Sequence, residues 1–104
     1  MNKIYYIDID NTICTQEADG DYKNARPWMD RIEKVNKLYD EGNKIIFYTA
    51  RGTKTHINWF KITKNQLKKW NVKYHELKMS KPQFDYFIDD KAINSNDFFI
   101  NKKH

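Results

Sequence analysis

Acidic side chains stand at two points where an apolar run of the sequence stops. Asp8 and Asp10 follow the first such run, and Asp89 and Asp90 follow the last. In an extended strand, residues i and i+2 point to the same side, so Asp8 and Asp10 would face one way. Neighbouring carboxylates repel each other, and a hard divalent cation with oxygen ligands, such as Mg²⁺, offsets that repulsion. The pattern favours a metal site with these four aspartates as candidate ligands.

Groups suited to binding an anion follow two other apolar runs. Thr49 offers a hydroxyl, the backbone amide of Ala50 can face an anion, and Arg51 presents a bidentate fork. Lys81 precedes Pro82, which stiffens the turn and would fix the ammonium where it could neutralise a phosphoryl oxygen or hold a carboxylate. The predicted phosphate-binding residues are Thr49, Lys81, Asn11 and Ala50. The predicted substrate-binding residues are Arg51 and Arg26, for which surface ion pairing is the alternative.

The elements that must position these residues alternate between strand and helix. Strands are predicted at 3–9, 44–49, 72–77 and 84–88 from their β-branched and aromatic content. Helices are predicted from Pro27 to the glycine at position 42, over about 56–70, and near 95–100. Thr53 and Thr55 are candidate caps of the second helix. Asn71 is its predicted end. This order predicts a mainly parallel sheet, and ligands bind beyond the carboxyl ends of parallel strands.

Size and composition set the broad class. The chain has 104 residues and a formal net charge of +5, with 39% hydrophobic residues. These values predict one folded domain over 1–104. Cys14 is the single cysteine, which fits a reducing cytoplasm, and we interpret it as a small buried residue. No apolar run is long enough to cross a membrane. The basic charge suits an anionic partner, although no nucleic-acid recognition motif accompanies it.

The four groups together resemble the haloacid dehalogenase (HAD) superfamily of phosphohydrolases over essentially the whole chain. Asp8-Ile9-Asp10-Asn11-Thr12 is similar to the family's first motif, commonly Asp-x-Asp-x-Thr. Thr49 matches the second motif, Lys81 the third and Asp89-Asp90 the fourth. A closer likeness, to short capless members often associated with capsule or lipopolysaccharide biosynthesis, rests on the stretches 21–27, 49–51 and 88–93.

This resemblance implies a fold and a mechanism. The fold would be a small Rossmann-like, three-layer α/β domain with a mainly parallel four-stranded sheet and no cap domain. Asp8 would attack phosphorus to give an aspartyl-phosphate, and Asp10 would act as general acid and then general base. Mg²⁺ would be held by the Asp8 carboxylate, the Asp10 backbone carbonyl and Asp89 or Asp90. Thr49 and Lys81 would hold the transferring oxygens.

The expected substrate is a phosphorylated sugar or another small phosphorylated metabolite, with no membrane partner. Because the gaps between the motifs are too short for a cap domain, the 13–26 loop or a second copy of the chain would have to exclude water. A nucleotide or polynucleotide phosphatase is the alternative enzyme. A receiver-like phosphorylatable signalling domain is the alternative of another class. In receiver domains, however, the acidic pair follows the first strand and the phosphoryl acceptor follows a middle one.

Overall fold

A computed structural model describes residues 2–18, 21–52 and 58–100 of the chain. Three strands alternate with helices along the sequence, and a final helix follows a long irregular segment. The elements are β1 (Ile4–Ile7), α1 (Met29–Asp40), β2 (Lys44–Tyr48), α2 (Trp59–Lys69), β3 (Glu76–Lys78) and α3 (Ser95–Ile100), with a 3-10 turn at Tyr22–Asn24. None of the helices in these residues is long and apolar enough to cross a bilayer.

The sheet has the order β1-β2-β3, and both strand pairs are parallel. Tyr6 lies opposite Ile46, and Phe47 lies opposite both Ile7 and Leu77. Each parallel pair is joined by a crossover helix, and such crossovers are almost always right-handed. Successive right-handed crossovers that progress in one direction across a sheet place their helices on the same face. The sheet order therefore dictates a two-layer arrangement.

One face of the sheet forms the core with all three helices. Since side chains alternate along a strand, Ile7, Ile45 and Phe47 point to this face. They pack in a single cluster with residues of α1 (Ile32, Val35), α2 (Leu67) and α3 (Phe99). Ile45, Phe47, Val35 and Leu67 are completely buried. The hydrophobic contribution to stability is thus concentrated on one side of the sheet.

The opposite face carries a mixed row of side chains and no helix among the described residues. Ile4 and Tyr6 of β1 are 64% and 56% exposed there. The ring of Tyr6 meets that of Tyr48 edge-on at 6.0 Å. Lys44 and Glu76 form an exposed ion pair at 2.9 Å on the same face. Ile46 points to this face as well and is only 3% exposed. The described residues thus form two layers, and the predicted third layer is not confirmed.

The predicted fourth strand is not confirmed. Residues 84–88 are described and have no strand structure. Tyr86 and Ile88 within them are 85% and 96% exposed. The apolar and aromatic composition that predicted a strand is present, but a strand also requires a hydrogen-bonding neighbour, and this segment has none among the described residues. The sheet that these residues form has three strands.

The helix boundaries agree with local capping chemistry. The side chain of Asn58 accepts a hydrogen bond from the Lys61 amide at 3.3 Å and caps α2. The predicted caps Thr53 and Thr55 lie outside the described residues. Asn71 has φ 59° and ends α2, as predicted. The Val72 amide still bonds the Leu67 carbonyl at 3.0 Å, so this stretch closes the helix and β3 begins later than predicted.

The two-layer arrangement predicts that the same isoleucine-to-alanine change lowers the free energy of unfolding by different amounts on the two faces of the sheet. Ile45→Ala should lower the free energy of unfolding by about 2–5 kcal/mol, because it opens a cavity in the core. Ile4→Ala on the open face should lower it by less than about 1 kcal/mol. Urea unfolding followed by tryptophan fluorescence measures both values. A loss at Ile4 as large as that at Ile45 would mean that a further layer covers this face.

Candidate active site at the carboxyl edge of the sheet

The loop that follows β1 is wound around a buried isoleucine. Ile9 is fully buried, and its carbonyl accepts hydrogen bonds from the amides of Thr12 at 3.1 Å and Ile13 at 2.9 Å. Asn11 adopts φ 60°, a left-handed conformation that asparagine tolerates better than most residues. The tight turn leaves Asp8 and Asp10 on either side of the anchoring residue.

Asp8 is partly buried at the end of β1 and faces one cation. Its Oδ1 accepts a hydrogen bond from the Ile9 amide at 2.8 Å. The Nζ of Lys81 lies 3.8 Å from its Oδ2. Lys81 is held by its own backbone, since its amide donates to the Thr49 carbonyl at 3.0 Å. Two residues predicted to share a phosphate site, Asp8 and Lys81, are therefore brought together at the carboxyl edge of the sheet.

The surroundings of Asp8 act on its titration in opposite directions. Burial raises the pKa of Asp8, while Lys81 and the Ile9 N–H lower it. The negative charge of Asp10 raises it again, and Arg51 opposes this weakly. The net effect is a pKa above the ordinary aspartate value, because desolvation is the largest cause.

Asp10 is held by a buried arginine. The Nε of Arg51 donates to Asp10 Oδ2 at 2.9 Å, and its NH2 donates to Oδ1 at 2.8 Å. The Arg51 side chain is completely buried, and that of Asp10 is 11% exposed. This is the bidentate geometry that makes arginine–carboxylate pairs strong and directional. The carboxylate plane of Asp10 is thereby fixed.

The guanidinium of Arg51 is itself fixed on the side away from Asp10. Its NH1 donates to Gln66 Oε1 at 2.7 Å and to Thr63 Oγ1 at 3.2 Å, both on α2. The Tyr22 ring lies under it, with the guanidinium carbon 4.9 Å from the ring centroid. Arg51 was predicted to bind substrate. The structure instead buries this side chain and gives its donors to Asp10 and α2, and a role in substrate binding stays a prediction.

The other residues predicted to bind phosphate or substrate differ in their burial and in their hydrogen-bond partners. Thr49 is buried, and its Oγ1 accepts the Arg51 backbone N–H at 3.2 Å. Asn11 is exposed and Ala50 is partly exposed. Arg26 is exposed, with its amide bonded to Thr15 Oγ1 at 2.9 Å. Their roles in binding phosphate or substrate stay predictions.

The acidic pair from the fourth motif does not join the other two aspartates. Asp89 and Asp90 are exposed in the irregular segment, and Asp89 Oδ1 accepts the Lys91 amide at 2.7 Å. Among residues 2–18, 21–52 and 58–100, no three acidic, histidine or cysteine side chains gather as a metal site would require. Because Asp89 and Asp90 do not gather with Asp8 in these residues, the arrangement seen here does not fit Mg²⁺, and the four-ligand set stays a prediction.

Two residues of this site were not anticipated from the sequence. Thr63 and Gln66 are buried on the face of α2 that also buries Trp59 and Leu67. A polar residue within the apolar stripe of a helix must find a partner when it is buried. That misfit in the helical pattern is the signal by which both could have been found.

Cys14 is expected to resist thiol reagents in the folded protein. It is fully buried, and its Sγ lies 3.6 Å from Asp10 Oδ1. Burial, reinforced by the charge of Asp10, raises the pKa of Cys14 to about 12, so almost no thiolate exists near neutral pH. Iodoacetamide labelling followed by mass spectrometry should show modification only after denaturation. Rapid labelling of the native protein would contradict this burial.

Asp8→Asn is expected to raise the melting temperature in metal-free buffer at pH 7. Because the folded-state pKa of Asp8 is raised, ionised Asp8 costs folding free energy that the neutral amide avoids. This advantage is present above the raised folded pKa. It should shrink as the pH falls through that value and disappear below the ordinary aspartate pKa of about 3.9, where Asp8 is protonated in both states. Differential scanning calorimetry across this range measures the difference, and an unchanged or lower melting temperature at pH 7 would contradict it.

Comparisons with known proteins give a structural relative but no function. The chain is similar to a crystal structure of a target protein from Vibrio cholerae, with a TM-score of 0.81 and 29% sequence identity. The match covers 94% of this chain and 88% of the other. No protein-family model matches, and no curated protein matches. A protein whose crystal structure is known therefore shares this small α/β fold over most of the length of both chains.

Proposed function

We propose that this protein is a phosphomonoester hydrolase of the HAD type, acting on a small phosphorylated metabolite such as a sugar phosphate. The observation that carries the proposal is the meeting of Asp8 and Lys81, 3.8 Å apart, at the carboxyl edge of a parallel sheet. A carboxylate nucleophile needs a partner that draws a phosphate dianion toward it. A fixed ammonium beside the carboxylate supplies that attraction.

The proposed reaction has two steps. In the first, an Asp8 oxygen forms a bond to phosphorus while the bond from phosphorus to the leaving oxygen breaks, and Asp10 donates a proton to that oxygen. In the second, Asp10 takes a proton from water as the water oxygen attacks phosphorus. The bond between Asp8 and phosphorus then breaks. The net reaction consumes one water and releases an alcohol and phosphate, with both aspartates restored.

Several features of the described residues support these roles. Asp8 is partly exposed, so a phosphate group can reach it, whereas Thr49 lies deeper and keeps a hydroxyl proton available near the Arg51 amide. The net charge of +5 favours an anionic substrate in general. The site has no cap over it in the described residues, which leaves room for a substrate larger than its phosphate.

The proposal includes a requirement for Mg²⁺, which when bound would reduce the repulsion between Asp8 and a phosphate dianion. It also includes a fourth strand at 84–88, which would carry Asp89 and Asp90 to the same edge of the sheet as Asp8. Without that movement the four aspartates do not form a metal site. None of the proton transfers assigned to Asp10 depends on the cation.

The deciding experiment is hydrolysis of p-nitrophenyl phosphate with MgCl₂ or with EDTA. Asp8→Asn should lower kcat by more than about 1,000-fold, because the nucleophile is lost, and Asp10→Asn by about 100-fold or more. Lys73→Gln, an exposed change in the segment that precedes β3, is the control and should retain wild-type activity. Equal phosphate release by wild type and Asp8→Asn would reject the proposed function, and full activity in EDTA would reject the metal requirement alone.

A further inference from the structure

The ion pair between Arg51 and Asp10 is buried, which is an unusual position for two charged side chains. A fully buried guanidinium is costly unless each charge and each donor finds a partner. Here the guanidinium has two bonds to one carboxylate and two to polar side chains of α2. All buried side-chain nitrogen and oxygen atoms of the described residues have a hydrogen-bond partner. The guanidinium of Arg51 therefore has hydrogen-bond partners both at Asp10 and at α2.

The surroundings of Arg51 leave it little freedom to move. The next residue, Gly52, has φ 83°, and a Cβ built there would lie 2.8 Å from Cδ1 of Trp59 at the start of α2. The Trp59 ring in turn meets the Tyr22 ring edge-on at 5.0 Å. Gln66 Nε2 donates to the Tyr22 carbonyl at 2.9 Å. The arginine is therefore enclosed between α2 and the 3-10 turn.

We propose that Arg51 is a positioning residue for Asp10: it transmits the fixed position of α2, through Thr63 and Gln66, to the carboxylate that exchanges protons with the leaving oxygen. This inference rests on the proposed function, because it assigns a role in that reaction. Arg51 bonds both oxygens of Asp10, and the Cys14 thiol donates to Oδ1 as well, so Oδ2 is the oxygen with a lone pair left for the reaction. A displacement of about 1 Å in such a group can lower a rate about 100-fold.

The orientation is specific to arginine. A lysine at position 51 would keep the positive charge, yet its ammonium could not form the two parallel bonds that set the carboxylate plane. The change Arg51→Lys therefore separates orientation from charge. Thr63→Val removes one of the two bonds to α2 with almost no change in shape. It tests the same series of contacts, from α2 through Arg51 to Asp10, at the end that lies on α2.

The experiment compares two substrates with different leaving groups. An alkyl phosphate needs a well-placed proton donor, whereas p-nitrophenolate leaves without much help. Arg51→Lys should lower kcat on glycerol 1-phosphate by about 100-fold with KM nearly unchanged. It should lower kcat on p-nitrophenyl phosphate by a smaller factor, about 10-fold, because there only the activation of water in the second step depends on Asp10. Thr63→Val should lower kcat on both substrates as well, by smaller factors. Circular dichroism and the melting temperature show whether each variant is folded at the assay temperature.

The matched control is Arg31, a second buried arginine, which contacts the loop after β1 at a different residue. Arg31 donates to the Thr12 carbonyl at 3.1 Å and to the Asn96 side chain at 2.7 Å. Arg31→Gln should reduce stability without selectively slowing the alkyl phosphate. A selective loss in Arg31→Gln equal to that in Arg51→Lys would overturn the inference, because any damage to the core would then produce it.

The double variant decides whether Arg51 acts through Asp10. In the Asp10→Asn background, Arg51→Lys should lower kcat on p-nitrophenyl phosphate no further, since the group it orients is already lost. Multiplying losses would overturn the inference while leaving Asp8-dependent hydrolysis in place. Absence of Asp8-dependent hydrolysis would instead reject the proposed function, and this inference with it.

Discussion

The buried ion pair between Asp10 and Arg51 is the interaction on which the organisation of the site depends. It joins the turn after β1 to the start of the segment after β2, and through Thr63 and Gln66 to α2. Removing one partner of such a pair leaves a buried charge without compensation, which is far more costly than losing an exposed ion pair. The fold therefore holds the acidic turn in place with electrostatic contacts as much as with apolar packing.

Two aspartates separated by a single residue have been given different surroundings. Asp8 is partly open to solvent, faces an ammonium, and has a raised pKa because of desolvation. Asp10 is more enclosed and bonds a guanidinium through both of its oxygens. Ile9 between them is fully buried and separates the two environments. Identical side chains can take different chemical roles when their surroundings differ in this way.

The sequence predicted the elements with strong local signals and failed where long-range pairing decides. Asn71 at the end of α2 and the helix at Ser95–Ile100 follow from capping and short-range pattern, and both are confirmed. The strand at 84–88 is not, because composition shows that a segment can pair but not whether a neighbour is available. The burial of Arg51 was not predicted for a related reason: it depends on Thr63 and Gln66, which are distant from it in the sequence and meet it only in three dimensions.

The position of β1 in the sheet has a consequence for how the protein fails on heating. β1 is the outermost strand in the order β1-β2-β3, so among the described residues only β2 bonds its backbone. Edge strands open locally at a lower free-energy cost than the strands beside them, and their amides exchange with solvent sooner. The segment that carries Asp8 would therefore loosen before the helices melt, and the arrangement of Asp8 and Lys81 would be lost before global unfolding.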